Sequence, residues 1–130
     1  MSNVQNVIYK EPVKLLQNLI RFDTTNPPGN EKDCIGYINK ILIDAGFETQ
    51  LLAKDLNRPN LITHLKGAGK TNPILLYGHV DVVTTENQIW KYPPFEAKIA
   101  EDEPLYSIDY FHNSDNPQPY IHCHIRLKPQ

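Results

Sequence analysis

Two residues of this chain have the types and the spacing to do chemistry together. His79 and Asp81 follow an apolar run in "LLYGHVDVV", residues 75–83. In extended backbone, residues two apart project to the same side. The carboxylate can then hydrogen-bond one imidazole nitrogen and leave the other for a metal or a proton. The bland alternative is a capping histidine beside a turn carboxylate, and H-x-D by itself is too short to choose between them.

Two further stretches invite a functional reading and do not sustain it. "GAGKT" at 67–71 resembles the end of a phosphate loop, but the position five residues before the second glycine is His64. A phosphate loop needs glycine there and a helix afterwards, whereas Asn72-Pro73 leads toward a strand. A polar turn between two strands is the better reading. His122, Cys123 and His124 are metal-ligand types, and alternation puts both histidines on one face. H-C-H nevertheless matches no usual zinc spacing, and an ordinary or unfolded tail is preferred.

The elements that must position the pair are legible upstream. From Glu11 to Phe22, Val13, Leu16, Leu19 and Ile20 fall at helical spacing, with Pro12 suited to the first turn. That helix must stop before "TNPPGN", because Pro27 disfavours helical backbone at Asn26. A second helix is predicted from Asn30, with Glu31 and Asp33 at its positive end. Its expected buried stripe is Cys34, Ile38, Ile41, Leu42 and Ala45, with Gly46 as the residue just past its end. Strands are predicted at 47–53, 60–66 and 73–78. The first two alternate in part. The third is continuously apolar, as a central strand covered on both faces would be. The order helix, helix, strand, strand, strand predicts an α/β fold with a mixed sheet flanked by helices.

Composition narrows the class. At 130 residues the chain is one domain at most, and its 40% hydrophobic and 22% charged residues are ordinary for a soluble globular protein. A net charge of −2 offers no basic patch for nucleic acid and no polybasic membrane anchor. No apolar run approaches the ~18 residues of a membrane span, and the first residues lack a signal-peptide pattern. Cys34 and Cys123 lie far apart without a C-x-x-C, which points to reduced thiols and a cytoplasmic location. Of the 11 prolines, four fall after residue 103. After Ile99 the periodic signal fades, and only Tyr120–Leu127 is expected to form a strand.

The flanks of the H-x-D segment add a stronger signal. "LIRFDTTNPPGNE" at 19–31, "LLYGHVDVV" at 75–83, and Trp90 followed by "PPF" at 93–95 stand in a characteristic order and spacing. In these motifs the chain resembles the M20 family of zinc metallopeptidases and deacylases, the acetylornithine deacetylase, succinyl-diaminopimelate desuccinylase and carboxypeptidase G type, over roughly residues 10 to 100. The resemblance implies the amino-terminal portion of a zinc-peptidase-like catalytic domain at 1–100, with 101–130 as an atypical tail. It implies His79 as the ligand of one of two zinc ions and Asp81 as the catalytic-site carboxylate that orients and polarises it. The implied reaction is hydrolysis of an amide or peptide bond in a small peptide or N-acyl amino acid. Thr24, Asn26, Pro28 and Gly29 match the family's early loop and are given no catalytic role.

The tail departs from the family. A G-R-G-x-x-D segment, whose aspartate bridges both zinc ions, is expected where this chain reads "PLYSIDYFHN". Ungapped counting puts His112 at the bridging position, with Asp109 and Asp115 out of register. A histidine cannot bridge two metals as a carboxylate does. The expectation is therefore a shifted or prematurely ended copy, truncated and inactive as it stands. The alternative is a non-catalytic α/β fragment acting by association with a full-length relative, with its oligomeric state open.

Overall fold

The first helix depends on a proline placed where a helix tolerates one. In the computed structural model, which describes residues 8–99 apart from 88 and 91 and, as backbone, strands 107–110 and 121–126, a short 3-10 turn at Ile8–Lys10 leads into α1, Pro12–Ile20. Pro12 lies in the first turn, where the N–H it lacks would have had no helical partner. The helix ends at Ile20 with Arg21 as its C-cap, two residues short of the Phe22 expected from the periodicity.

The second helix, α2, spans Lys32–Asp44. It starts later than Asn30 because Glu31 occupies the N-cap in helical backbone and makes no capping bond with its side chain. That carboxylate is engaged elsewhere, and Asn57 O instead accepts from the Lys32 N–H at 3.0 Å, satisfying one of the helix's orphan donors. At the other end Gly46 adopts φ +86°. The Phe47 N–H donates to Leu42 O and the Gly46 N–H to Ile43 O, both at 2.9 Å. This pair of bonds is a Schellman motif, which needs a residue tolerant of left-handed backbone. Cys34 is the fully buried member of the expected stripe. Ile38, Ile41 and Leu42 are half-buried, and Ala45 is exposed, contrary to expectation. The stripe ends one turn early because Ala45 has already left the helix as its C-cap.

The helices meet through aromatic and polar contacts. The Phe22 and Tyr37 rings lie 5.6 Å apart, and Asn18 Nδ2 donates to the Tyr37 hydroxyl at 2.9 Å. Gln17 Nε2 reaches the carbonyl of buried Ala97 at 2.7 Å, tying the far end of the described chain back to α1.

Strands β1, Thr49–Leu52, and β2, Asn60–Thr63, pair antiparallel with Thr49 opposite Thr63, and α2 packs on both. Strand β3 is shorter than the predicted 73–78, comprising Leu76–Tyr77. It pairs in parallel with β5, Ile121–Arg126, which in turn pairs antiparallel with β4, Ser107–Tyr110. The result is a small α/β arrangement in which the mixed sheet is β3-β5-β4 and α2 lies on the separate two-stranded sheet.

Two expectations are corrected here. The Ile74–Tyr77 run is not covered on both faces, since Leu76 is 68% exposed and Ile74 73%. Among the described residues, α2 packs over β1 and β2 instead of this run. Among the described residues, the tail also holds two strands, not one. Ser-Ile-Asp-Tyr alternates polar and β-forming residues, but four residues are too few to identify a strand without the partner that completes its ladder. "GAGKT" lies in exposed, irregular backbone with bends at 69–71 and no following helix, as a polar turn requires.

Candidate functional site

The site is built where the loop after α1 meets the segment after β3. Beyond Tyr77 the chain leaves the ladder, and residues 80–82 are gripped by residues 24–26. The Val82 N–H donates to Thr24 O at 3.1 Å, and the Asn26 N–H to Val82 O at 2.8 Å, forming a parallel bridge between Thr25 and Val82. Thr24, 3% exposed, also donates its hydroxyl to the Val80 carbonyl. Asp23 Oδ1 accepts from the Thr25 hydroxyl at 2.6 Å and its N–H at 3.1 Å, shaping the turn into the loop.

This grip presents His79 and Asp81 as the spacing predicts. His79 Nδ1 lies 2.9 Å from Asp81 Oδ1 and 3.0 Å from the Asp81 main-chain carbonyl. Asp81 Oδ2 accepts from Asn26 Nδ2 at 2.8 Å. The Asn26 amide is the main influence holding the Asp81 carboxyl below the usual aspartate range. Hydrogen bonding and charge from His79 act the same way, and partial burial opposes them. An ionised carboxylate only accepts, so Nδ1 must be the donor. In the neutral ring that fixes the lone pair on Nε2, the atom directed away from Asp81 and of the kind metals take.

Behind Asp81 stands a second set of charges that sequence reading missed. Arg58 Nη2 is 3.7 Å from Asp81 Oδ2. The same guanidinium contacts Glu31, with Nε 3.2 Å from both carboxylate oxygens and Nη2 3.2 Å from Oε1. Glu31 was expected only to favour the helix start, yet it is buried at 5% exposure. Gly29 makes room for this pair: a Cβ there would lie 2.7 Å from Arg58 Nε, and its φ is +83°. Glu31 and Arg58 are 27 positions apart, beyond any local pattern. The one sequence hint was the glycine after two prolines.

Among the described residues, no other candidate joins this pair. Cys34 is buried in α2, and burial pushes its thiol up to about 11. His112 and Asp115 lie outside the described residues, as do the side chains of Asp109, His122, Cys123 and His124. Among the described residues, no group of three or more His, Cys, Asp or Glu side chains converges on one point. No helix among them is long and apolar enough to cross a membrane.

An oriented imidazole backed by a carboxylate at the end of a strand is an arrangement suited to amide hydrolysis, and the chain's relatives are of that class. Over about seven-tenths of its length it is homologous to M20-type enzymes, in agreement with the resemblance carried by its motifs. It is 33% identical over 96 residues to the N-formyl-4-amino-5-aminomethyl-2-methylpyrimidine deformylase of Halalkalibacterium halodurans, covering 71% of this chain and 22% of that enzyme. It is 34% identical over 98 residues to the succinyl-diaminopimelate desuccinylase of Ehrlichia canis, covering 74% and 25%. The desuccinylase of Wigglesworthia glossinidia brevipalpis is 33% identical over 90 residues, covering 68% and 22%. The chain thus spans about a quarter of the length of these curated relatives. No family profile and no solved structure matches it.

Proposed function

We propose that residues 1–100 supply the amino-terminal part of a zinc-dependent amide hydrolase, an M20-type peptidase or N-acyl amino acid deacylase acting in the cytoplasm on a small acylated substrate. The observation that carries this reading is the 2.9 Å contact between His79 Nδ1 and Asp81 Oδ1 at the end of β3, in a chain homologous to a desuccinylase and a deformylase. The donor chemistry fits zinc, which takes a neutral imidazole whose other nitrogen is held by a carboxylate. His79 is then the ligand through Nε2, and Asp81 its orienting partner. Bound zinc, two ions in the family, would supply polarisation of the scissile carbonyl and acidification of a water.

The chain's own residues prepare that chemistry. Asp81 keeps the ring proton on Nδ1 and fixes the ring plane. Asn26 keeps Asp81 an acceptor by donating to Oδ2. Thr24 sets the height of residues 80–82 against the early loop. A catalytic zinc ordinarily takes about three protein ligands and a water, and the described residues offer His79. The 130-residue chain is therefore expected to hydrolyse N-acyl amino acids and dipeptides little or not at all, and zinc-dependent turnover by it would refute this. Zinc content after equilibrium dialysis tests the ligand itself. His79→Ala should abolish bound zinc, and equal zinc in both proteins would sink the assignment.

A second reading rests on the exposed run Ile74–Tyr77. A non-catalytic chain could cover that run by associating with a full-length relative. Strictly monomeric elution from size-exclusion chromatography, with and without such a relative, would count against it.

A further inference from the structure

A carboxylate hinged at a single oxygen is a poor guide for an imidazole, because the torsion between Cβ and Cγ of aspartate is broad. Asp81 is constrained from both sides. Oδ1 meets His79, while Oδ2 meets Asn26 at 2.8 Å and Arg58 at 3.7 Å. Asn26 belongs to the early loop, whereas Arg58 comes from the turn before β2. Arg58 is 42% exposed along its side chain and would wander if held by Asp81 alone, since exposed ion pairs order long side chains weakly. It is held by Glu31, which is buried and sets both carboxylate oxygens against the guanidinium edge. The Lys32 N–H to Asn57 O bond fixes the backbone beside it, and Gly29 leaves room for Nε.

We propose that Arg58, clamped by Glu31, is a positioning residue that fixes the Asp81 carboxylate plane and thereby the tautomer and direction of His79. The inference rests on the zinc-hydrolase reading for its purpose, but not for its test. A purely structural reading assigns the Glu31–Arg58 pair only to holding the early loop against the turn before β2. The two differ in what a paired neutral replacement restores. Removing Arg58 alone leaves the buried Glu31 charge uncompensated, whereas removing both does not.

The experiment uses the 130-residue chain and long-range proton–nitrogen spectra of its imidazoles, with His79 assigned by its loss in His79→Gln. Arg58→Gln, Glu31→Gln, the double variant and Arg58→Lys are compared with the unaltered protein, and each is titrated with zinc. The unaltered protein should show one His79 tautomer, protonated at Nδ1. Both single variants should mix the tautomers and weaken zinc binding about tenfold or more, as loss of an outer partner of a metal ligand does. The double variant should recover thermal stability while His79 stays mixed. Recovery of the single tautomer in the double variant would overturn the proposal. Where Arg58→Gln fails to fold, Arg58→Lys decides: it keeps the charge but lacks the fork, and a wild-type His79 signal in it would also overturn the proposal. If the unaltered chain takes up no zinc but Arg58→Gln still mixes the tautomers, the metal reading fails and positioning stands. If zinc binds at His79 and neither tautomer nor affinity responds to Arg58, the metal reading stands and positioning falls.

Discussion

Thr24 shows how one buried hydroxyl can govern a site it does not enter. Its side chain donates to the Val80 carbonyl between the two site residues. Thr24→Val keeps the shape and removes the donor, leaving that carbonyl without this bond in a part-buried setting. A loss of about 1–3 kcal/mol is expected, measured by urea unfolding. Cys34 makes a second prediction at this scale. Burial pushes its thiol from 9.0 up to about 11, so the folded protein holds the proton more tightly than the unfolded chain. Stability is then unaffected below about pH 9 and falls as pH rises toward 11, by on the order of 2 kcal/mol. Stability curves from about pH 7 to 11 check the sign, and Cys34→Ser should flatten them. The residues easiest to read were His79 and Asp81, because their relation is local. Arg58 and Glu31 were not legible, since nothing in either's neighbourhood announces a partner in another segment.

Helices were more legible than strands because their signals are carried within each segment. Pro12 marks the start of α1, and Gly46 the end of α2. Strands β1 and β2 were each found but read too long, since their pairing stops at Thr49–Thr63. Two of the three described glycines with positive φ, Gly29 before α2 and Gly46 after it, give a graded prediction. At Gly46 an added Cβ meets nothing within 4 Å, so Gly46→Ala costs only the backbone strain, about 1–2 kcal/mol. At Gly29 the strain is similar, but the Cβ would also collide with Arg58. Gly29→Ala should therefore cost more than Gly46→Ala in the same unfolding assay, and Arg58→Ala should recover part of the excess. Equal losses at the two glycines would contradict the close approach of Arg58.

For the whole molecule, apolar periodicity shows that a segment wants cover and not whether cover is at hand. Ile74–Tyr77 has the composition of a central strand and is nevertheless exposed. Exposed apolar strands favour edge-to-edge association. Leu76→Lys is expected to lower concentration-dependent light scattering relative to the unaltered chain, with little change in unfolding free energy because Leu76 is already 68% exposed. Unchanged scattering would show that another surface drives any association.

The bridge between Thr25 and Val82 has a consequence in time as well as in space. Thr24 and Val80 are 56 positions apart, and closing a loop of that length costs on the order of 3 to 4 kcal/mol of chain entropy. The helices and the β1–β2 hairpin need no such closure. The clamp around the H-x-D segment should therefore form after them and open before them. In native-state hydrogen exchange, the amides of Asn26 and Val82 should lose protection together, while the interior of α2 stays closed. The chemistry-bearing pair would then be orderly only while two distant stretches of chain hold one another, so the site can be dismantled without unfolding the helices.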